Sequence, residues 1–188
     1  KHPTILVICP LGTRVSWEKT FKAQGLQVPV HRIDSTTKGK LAMQDLTSGT
    51  MGVYLIGREY FRRNNWSSFK KVGVVIVDEY HVFTNRDSLG HKKLKTLKPE
   101  WKIAMSGTPW GNKFENAWAM ARWLGGSPTV TSRFWGDPEK GLSGFVSDFA
   151  ETEVVYTAHG KARKITGERE PGKFVSTLPC YLRPELPP

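Results

Sequence analysis

The chain reads as an α/β domain on a mostly parallel central sheet, and three observations predict it: unbroken apolar runs, helical stripes between them, and polar loops that begin where the runs stop. Runs such as Thr4-Ile5-Leu6-Val7-Ile8-Cys9 and Val72-Gly73-Val74-Val75-Ile76-Val77 show no polar alternation, the pattern of strands covered on both faces. Parallel strands need crossover connections, and helix-like segments stand between these runs.

Taken in order, Thr4 to Cys9 is the first strand, stopped by Pro10-Leu11-Gly12. Ser16 is the expected cap of a helix around Trp17 to Ala23, where Trp17 and Phe21 stand four apart on one face. Val28 to Ile33 is the second strand. After Ser35-Thr36-Thr37, the residues Leu41, Met43 and Leu46 mark a short helix ended by Ser48-Gly49. Gly52 to Ile56 is the third strand. Val72 to Val77 then runs into Asp78-Glu79-Tyr80-His81, and Trp101 to Met105 into Ser106-Gly107-Thr108-Pro109. A helix over about Lys113 to Leu124 carries Phe114, Ala117, Trp118, Ala121 and Leu124 on one stripe, the spacing of a core face rather than of a base-stacking platform. Beyond Gly125-Gly126-Ser127-Pro128 the pattern weakens to aromatic-bearing segments at Phe134-Trp135 and Phe145 to Phe149. The basic, glycine-bearing stretch Ala158 to Lys173 is expected to be mobile. There is no internal repeat.

A length of 188 residues predicts one compact domain and leaves no room for a two-lobed motor. The formal net charge of +11 favours a polyanionic partner. A hydrophobic content of 38%, with 7 Trp, suffices for a core and argues against disorder. Cys9 and Cys180 lie at opposite ends without metal-ligand spacing, so neither a zinc site nor a disulfide framework is indicated. No apolar run approaches the roughly 20 residues of a membrane span. The chain starts at Lys1 without a leader-like segment and reads as a piece of something longer, soluble and cytoplasmic or nucleoid-associated, or in the host cytoplasm if viral.

Asp78-Glu79-Tyr80-His81 at the tip of a buried strand is the most informative feature. Two carboxylates there offer one group for a hydrated magnesium ion, Asp78, and a second, Glu79, to orient or deprotonate a water that attacks phosphorus. An acidic turn that merely ends a strand has the same composition. Ser106-Gly107-Thr108-Pro109, at the end of the next strand, makes a tight hydroxyl-bearing loop that can reach His81 across neighbouring strand ends. By itself it is a turn and helix cap; the spacing of the two loops argues for the functional reading.

With these residues in hand, the sequence resembles the superfamily-two helicases, and within them the Swi/Snf-like double-stranded DNA translocases. Val74-Val75-Ile76-Val77-Asp78-Glu79-Tyr80-His81 looks like their DExH Walker B motif, and Ala104-Met105-Ser106-Gly107-Thr108-Pro109 like the motif coupling hydrolysis to movement. The stretch Trp110 to Leu124 is similar to the Asn-bearing loop and Leu/Trp-rich helix that follow it. Ile5 to Leu11 with Trp17 looks like the first DNA-contacting motif, and Tyr181 to Pro188 resembles the segment closing the first motor lobe.

The resemblance implies a RecA-like three-layer sandwich, ATP and Mg2+ as cofactors, and tracking along a DNA backbone. Residue by residue, it gives Asp78 and Glu79 the metal and water roles, and His81, with Ser106, Gly107 and Thr108, the coupling role. It puts Pro10, Thr13, Arg14, Gly57, Arg58 and Asn112 near the phosphates. On this reading residues 1–188 form a single truncated N-terminal ATP-binding lobe, about 1–127 its core and 128–188 a lobe-closing extension, with the second RecA-like lobe missing. The family's phosphate-binding Gly-Lys-Thr loop is also missing: Gly39-Lys40-Leu41 lacks the upstream glycine and the magnesium-binding hydroxyl. The chain alone is therefore expected to bind nucleotide poorly and to be inactive. Tyr80 stands where small residues are usual. A non-hydrolysing nucleic-acid-binding module on the same fold is the alternative.

Three basic clusters complete the picture. Arg58, Arg62, Arg63, Lys70 and Lys71, interleaved with Tyr60, Phe61, Trp66 and Phe69, follow a strand on the edge that carries Asp78 and are read as a DNA contact; a solvated helix face with inward aromatics is the other reading. Lys92, Lys93, Lys95, Lys98 and Lys102 suit a solubilising face equally well. Lys161-Ala162-Arg163-Lys164 is either a nucleic-acid contact or a surface insertion. His2, His31, His91 and His159 are taken as surface residues.

Overall fold

The computed structural model describes residues 4–66, 69, 72–108, 110, 113–125 and 138–176. The chain divides into two compact units, Lys1–Pro109 and Trp110–Pro188. Among the described residues no helix is long and apolar enough to cross a membrane.

The first unit holds a five-stranded sheet in the order β2-β3-β1-β4-β5, formed by β1 (Thr4–Cys9), β2 (Val30–Ile33), β3 (Gly52–Gly57), β4 (Val74–Asp78) and β5 (Trp101–Met105). Every pairing is parallel, with Cys9 opposite Gly57, Ile8 opposite Val77 and Asp78 opposite Met105. The central strands are buried as their unbroken apolar runs require. Val7, Cys9, Val53 and Leu55 form one core cluster with Trp17 and Phe21, and the alternate residues Leu6, Ile8, Tyr54 and Ile56 are just as buried. β2 and β5 are the edge strands, and β5 leaves Trp101, Ile103 and Met105 exposed.

The intervening helices are α1 (Arg14–Ala23), α2 (Thr37–Ser48), α3 (Arg58–Arg63) and α4 (Leu89–Thr96). Ser16 does not cap α1, which begins earlier, out of the 3-10 turn Leu11–Thr13, so that Ser16 lies inside it. α2 is capped by Thr36, whose hydroxyl accepts from the Gly39 amide, and stops at Gly49 in the left-handed region. The second strand starts at Val30 rather than Val28.

The second unit contains α5 (Glu115–Gly125), α6 (Pro138–Phe149), the strands β6 (Ala150–Thr157) and β7 (Gly160–Glu168), and a short α7 (Lys173–Ser176). Its core joins Phe114, Ala117, Trp118, Phe145, Phe149 and Phe174, so the Trp118 stripe packs inward as expected. The segment from Ala158 onward, expected from its composition to be mobile, holds a strand. β6 and β7 pair antiparallel from Ala150↔Glu168 to Thr157↔Gly160 around a two-residue turn. Glycine and lysine content masked a hairpin whose signal is the β-branched Val154-Val155 and Ile165 flanking a Gly160 at φ 111°. Phe134-Trp135, the closing segment Tyr181 to Pro188 and Cys180 lie outside the described residues.

Candidate active site

The parallel sheet sends the loops after β1, β3, β4 and β5 out of one edge. β1 and β4 are neighbours whose outgoing connections lead to opposite sides of the sheet, since β2 and β3 lie beyond β1 and β5 beyond β4. Such a reversal opens a crevice at the carboxyl ends of the two strands.

Asp78 closes β4 at this crevice. Its Oδ2 accepts from the indole Nε1 of Trp17 at 3.1 Å and lies 3.5 Å from the Thr13 hydroxyl. That hydroxyl is nearer the Pro10 carbonyl, at 3.0 Å, and having a single proton donates it there. Trp17 is thus the principal partner of Asp78. Its link to this carboxylate was not anticipated in the sequence; the aromatic pairing with Phe21, with ring centroids at 5.5 Å, was.

Glu79, the next residue, adopts φ 53° and ψ 52°, the left-handed region that side chains avoid. This backbone reversal lets consecutive residues serve different ends. Tyr80 turns into the core and is fully buried, which pushes its phenol far above the usual range, while Glu79 and His81 remain half-exposed. The unusual Tyr80 is therefore accommodated as a core ring.

His81 Nδ1 lies 3.2 Å from Glu79 Oε2 and 3.1 Å from Ser106 Oγ. A carboxylate only accepts, so the contact with Glu79 requires the proton on Nδ1, and Ser106 shares that N–H as a second acceptor. Ser106 Oγ also accepts from the Thr108 amide at 3.2 Å. One line of polar contacts therefore runs from Glu79, just past β4, through His81 to the loop after β5. It can transmit a change at the carboxylate, in charge or in position, to a neighbouring strand end.

The other expected residues are distributed as follows. Arg14 is mostly buried and pairs with Asp34 at 3.7 Å. Hydrogen bonds from Thr36, followed by the charges of Arg14 and Arg32, hold the Asp34 carboxyl below its ordinary range despite burial. Gly57 ends β3 and is buried, and a Cβ there would come to 3.4 Å from Leu11. Arg58 and Arg62 flank Glu59, at 3.8 and 3.5 Å, and Arg63 is exposed. The aromatics among them do not face outward as a group: Phe61, Trp66 and Phe69 are buried, Trp66 stacked on Phe61 and tilted against Phe69, with Trp66 Nε1 donating to the Phe61 carbonyl at 2.7 Å. Asn112, Lys70, Lys71 and Pro109 lie outside the described residues.

In the second basic cluster Lys93 is anchored by the Asn64 carbonyl, and burial pulls the Lys102 ammonium below its ordinary range, while Lys92, Lys95 and Lys98 are exposed. His91 is not a surface residue: it is buried, with Nδ1 donating to the Phe83 carbonyl at 2.9 Å, because α4 turns that face toward the Tyr80–Phe83 turn. Gly39-Lys40 sits within the first turn of α2, with Gly39 packed against Asp34.

Among the described residues no three His, Cys, Asp or Glu side chains gather as a self-sufficient metal site. A magnesium ion that keeps most of its water and takes one carboxylate suits this donor set, with Asp78 as the group that would hold it.

An all-parallel sheet with acids and hydroxyls at adjoining strand ends defines the RecA-like class of α/β lobes. Residues 1–138 match the SNF2-related domain, and the chain belongs to that family. It is 31% identical over 135 residues to a DNA repair and recombination protein RAD54-like of Drosophila virilis, covering 65% of this chain and 17% of that one. It is 27% identical over 125 residues to the Chromodomain-helicase-DNA-binding protein 1-like of Mus musculus, covering 61% and 13%. The fold is that of the Sulfolobus solfataricus SWI2/SNF2 ATPase core in complex with dsDNA, with a TM-score of 0.54 at 22% identity over 77% of this chain and 32% of that one. The chain thus spans about a sixth of the length of the RAD54-like relatives it matches.

Proposed function

We propose that this chain is the first RecA-like lobe of an ATP-dependent DNA translocase or helicase of the Swi/Snf type, which couples ATP hydrolysis to movement along duplex DNA. One observation carries the reading: the Glu79–His81–Ser106 line joins the half-exposed carboxylate that follows β4 to the loop of the neighbouring strand. A solved relative of the same fold in complex with dsDNA supports the duplex as substrate.

In this reading Asp78 holds a hydrated magnesium ion, which when bound offsets the negative charge of the nucleotide phosphates. Trp17 keeps the Asp78 carboxylate turned toward the crevice. Glu79 accepts a proton from the attacking water, and His81, hydrogen-bonded to that carboxylate, registers the change and passes it to Ser106, Gly107 and Thr108. Pro10, Thr13, Arg14, Gly57, Arg58, Arg62 and Arg63 form the nucleic-acid side, reading the backbone without sequence preference. The protein works wherever the DNA is, in the cytoplasm or nucleoid.

Glu79→Gln in the full-length parent tests this. DNA-stimulated ATP hydrolysis is lost and duplex binding is retained. Near-normal turnover in that variant removes Glu79 as the base. Duplex binding by the parent without nucleotide binding or ATP hydrolysis favours the non-hydrolysing binding module.

A further inference from the structure

We propose that the β6–β7 hairpin is a second duplex-DNA contact, in which Lys161 and Arg163 hold phosphates and Tyr156 packs on the sugar or base surface between them. The inference rests on DNA being the partner, but uses a site to which that reading gives no role.

The pairing register sorts the basic cluster by face. Tyr156 stands opposite Lys161 and Val154 opposite Arg163, and directly opposed residues of an antiparallel pair project to the same side. One face therefore presents Val154, Tyr156, Lys161 and Arg163. Lys164 belongs to the other face, where it pairs with Glu153 at 3.2 Å. The sequence cluster Lys161-Ala162-Arg163-Lys164 is thus split into one neutralised cation and two that share a surface.

That surface is exposed and apolar between its charges. Val154 is 60% and Tyr156 78% exposed, and Lys161 Nζ stands 5.7 Å from the Tyr156 ring centroid. Arg163 has no acidic partner among the described residues. No carboxylate projects from this face between Val154 and Arg163. An aromatic ring flanked by two cations on a two-stranded ribbon suits a phosphate backbone and the surface next to it. Among the described residues that share this face with the Tyr156 ring, the charged ones are Lys161 and Arg163, both cations.

The test is duplex binding by the 188-residue chain across a salt series, read by fluorescence anisotropy of a labelled duplex. Lys161→Ala with Arg163→Ala weakens binding about tenfold near physiological salt and makes the slope of log K against log salt shallower by about 1.8, from about 0.9 per phosphate contact. Tyr156→Ala weakens binding several-fold at unchanged slope. Lys164→Ala, on the paired face, leaves both unchanged. All four side chains are exposed, so an unchanged far-ultraviolet spectrum verifies the fold. An unaltered slope in the double variant overturns the proposal, as does an equal effect from Lys164→Ala, which would reduce the hairpin to diffuse charge. Arg62→Glu with Arg63→Glu serves as the separate arm: if it abolishes binding while the hairpin variants match the parent, only the hairpin assignment fails. No duplex binding by the unaltered chain sinks both.

Discussion

Glu79 holds a conformation that favours glycine, and this has a measurable consequence. Its φ of 53° and ψ of 52° lie within a few degrees of the left-handed helical minimum, and it is the residue other than glycine with positive φ among the described residues. A side chain in that region costs roughly 1–2 kcal/mol. Replacing Glu79 by glycine relieves the strain but also removes the contact with His81, so the proper reference is Glu79→Ala, which loses the same carboxylate and keeps a Cβ. Against the relief stands the extra chain entropy that glycine loses on folding, about 0.5–1 kcal/mol relative to alanine. The balance leaves Glu79→Gly more stable than Glu79→Ala by about 0.5–1 kcal/mol. For a chain of this length, that raises Tm by about 1–4 °C. Urea unfolding followed by tryptophan fluorescence measures the same difference as a shift in midpoint at constant slope. At an ordinary helix or strand position the sign is reversed and alanine wins. A Glu79→Gly protein that melts below Glu79→Ala refutes the reasoning. Both variants lose the carboxylate that reaches His81, so under the proposed function neither is expected to support ATP hydrolysis in the full-length parent.

Trp17→Phe retains an aromatic ring beside Phe21 and deletes the N–H that serves Asp78. It should cost about 1 kcal/mol, toward the low side for a bond to a charged group because the site is partly exposed. Urea unfolding of Trp17→Phe, Asp78→Asn and the double variant should give a coupling energy of about 0.5 kcal/mol or more, and strictly additive effects would deny the contact. Gly39→Ala replaces a helical glycine by the best helix former, yet should destabilise by about 1–3 kcal/mol. Its Cβ would meet the Asp34 carboxylate and come to 2.5 Å from the Asp34 amide nitrogen and 2.7 Å from its carbonyl oxygen. A thermal melt above that of the parent protein would show that α2 begins differently.

Much of the fold was legible because strand burial is a local pattern. The run Val74 to Val77 has no polar side chain, so it reads as a central strand without reference to anything distant, and the acids after it read as its functional tip. Edges are not local in this sense. Trp101, Ile103 and Met105 look as apolar as the central runs, yet β5 borders the sheet and exposes them. The hairpin was illegible for a different reason: lysine and glycine depress strand propensity, and cross-strand pairs such as Glu153 with Lys164 and Tyr156 with Lys161 offset this only once the register exists. His91 misled because its neighbours Lys92 and Lys93 are charged, whereas its ring satisfies a backbone carbonyl at the turn after β4.

By itself, then, the amino-acid sequence determined the parallel α/β class, the basic character, and the placing of Asp78, Glu79, His81 and Ser106 at strand ends, since these follow from periodicity and turn chemistry within short windows. The approach of His81 to Ser106 across 25 residues, expected from their neighbouring strand ends, is borne out. Only the tertiary structure decided that Trp17 reaches Asp78 across 61 residues, because crossover order in a parallel sheet, not separation along the chain, sets α1 beside the end of β4. The same holds for the hairpin's charge: four neighbouring letters became two exposed cations and one neutralised one when antiparallel pairing assigned alternate residues to opposite faces.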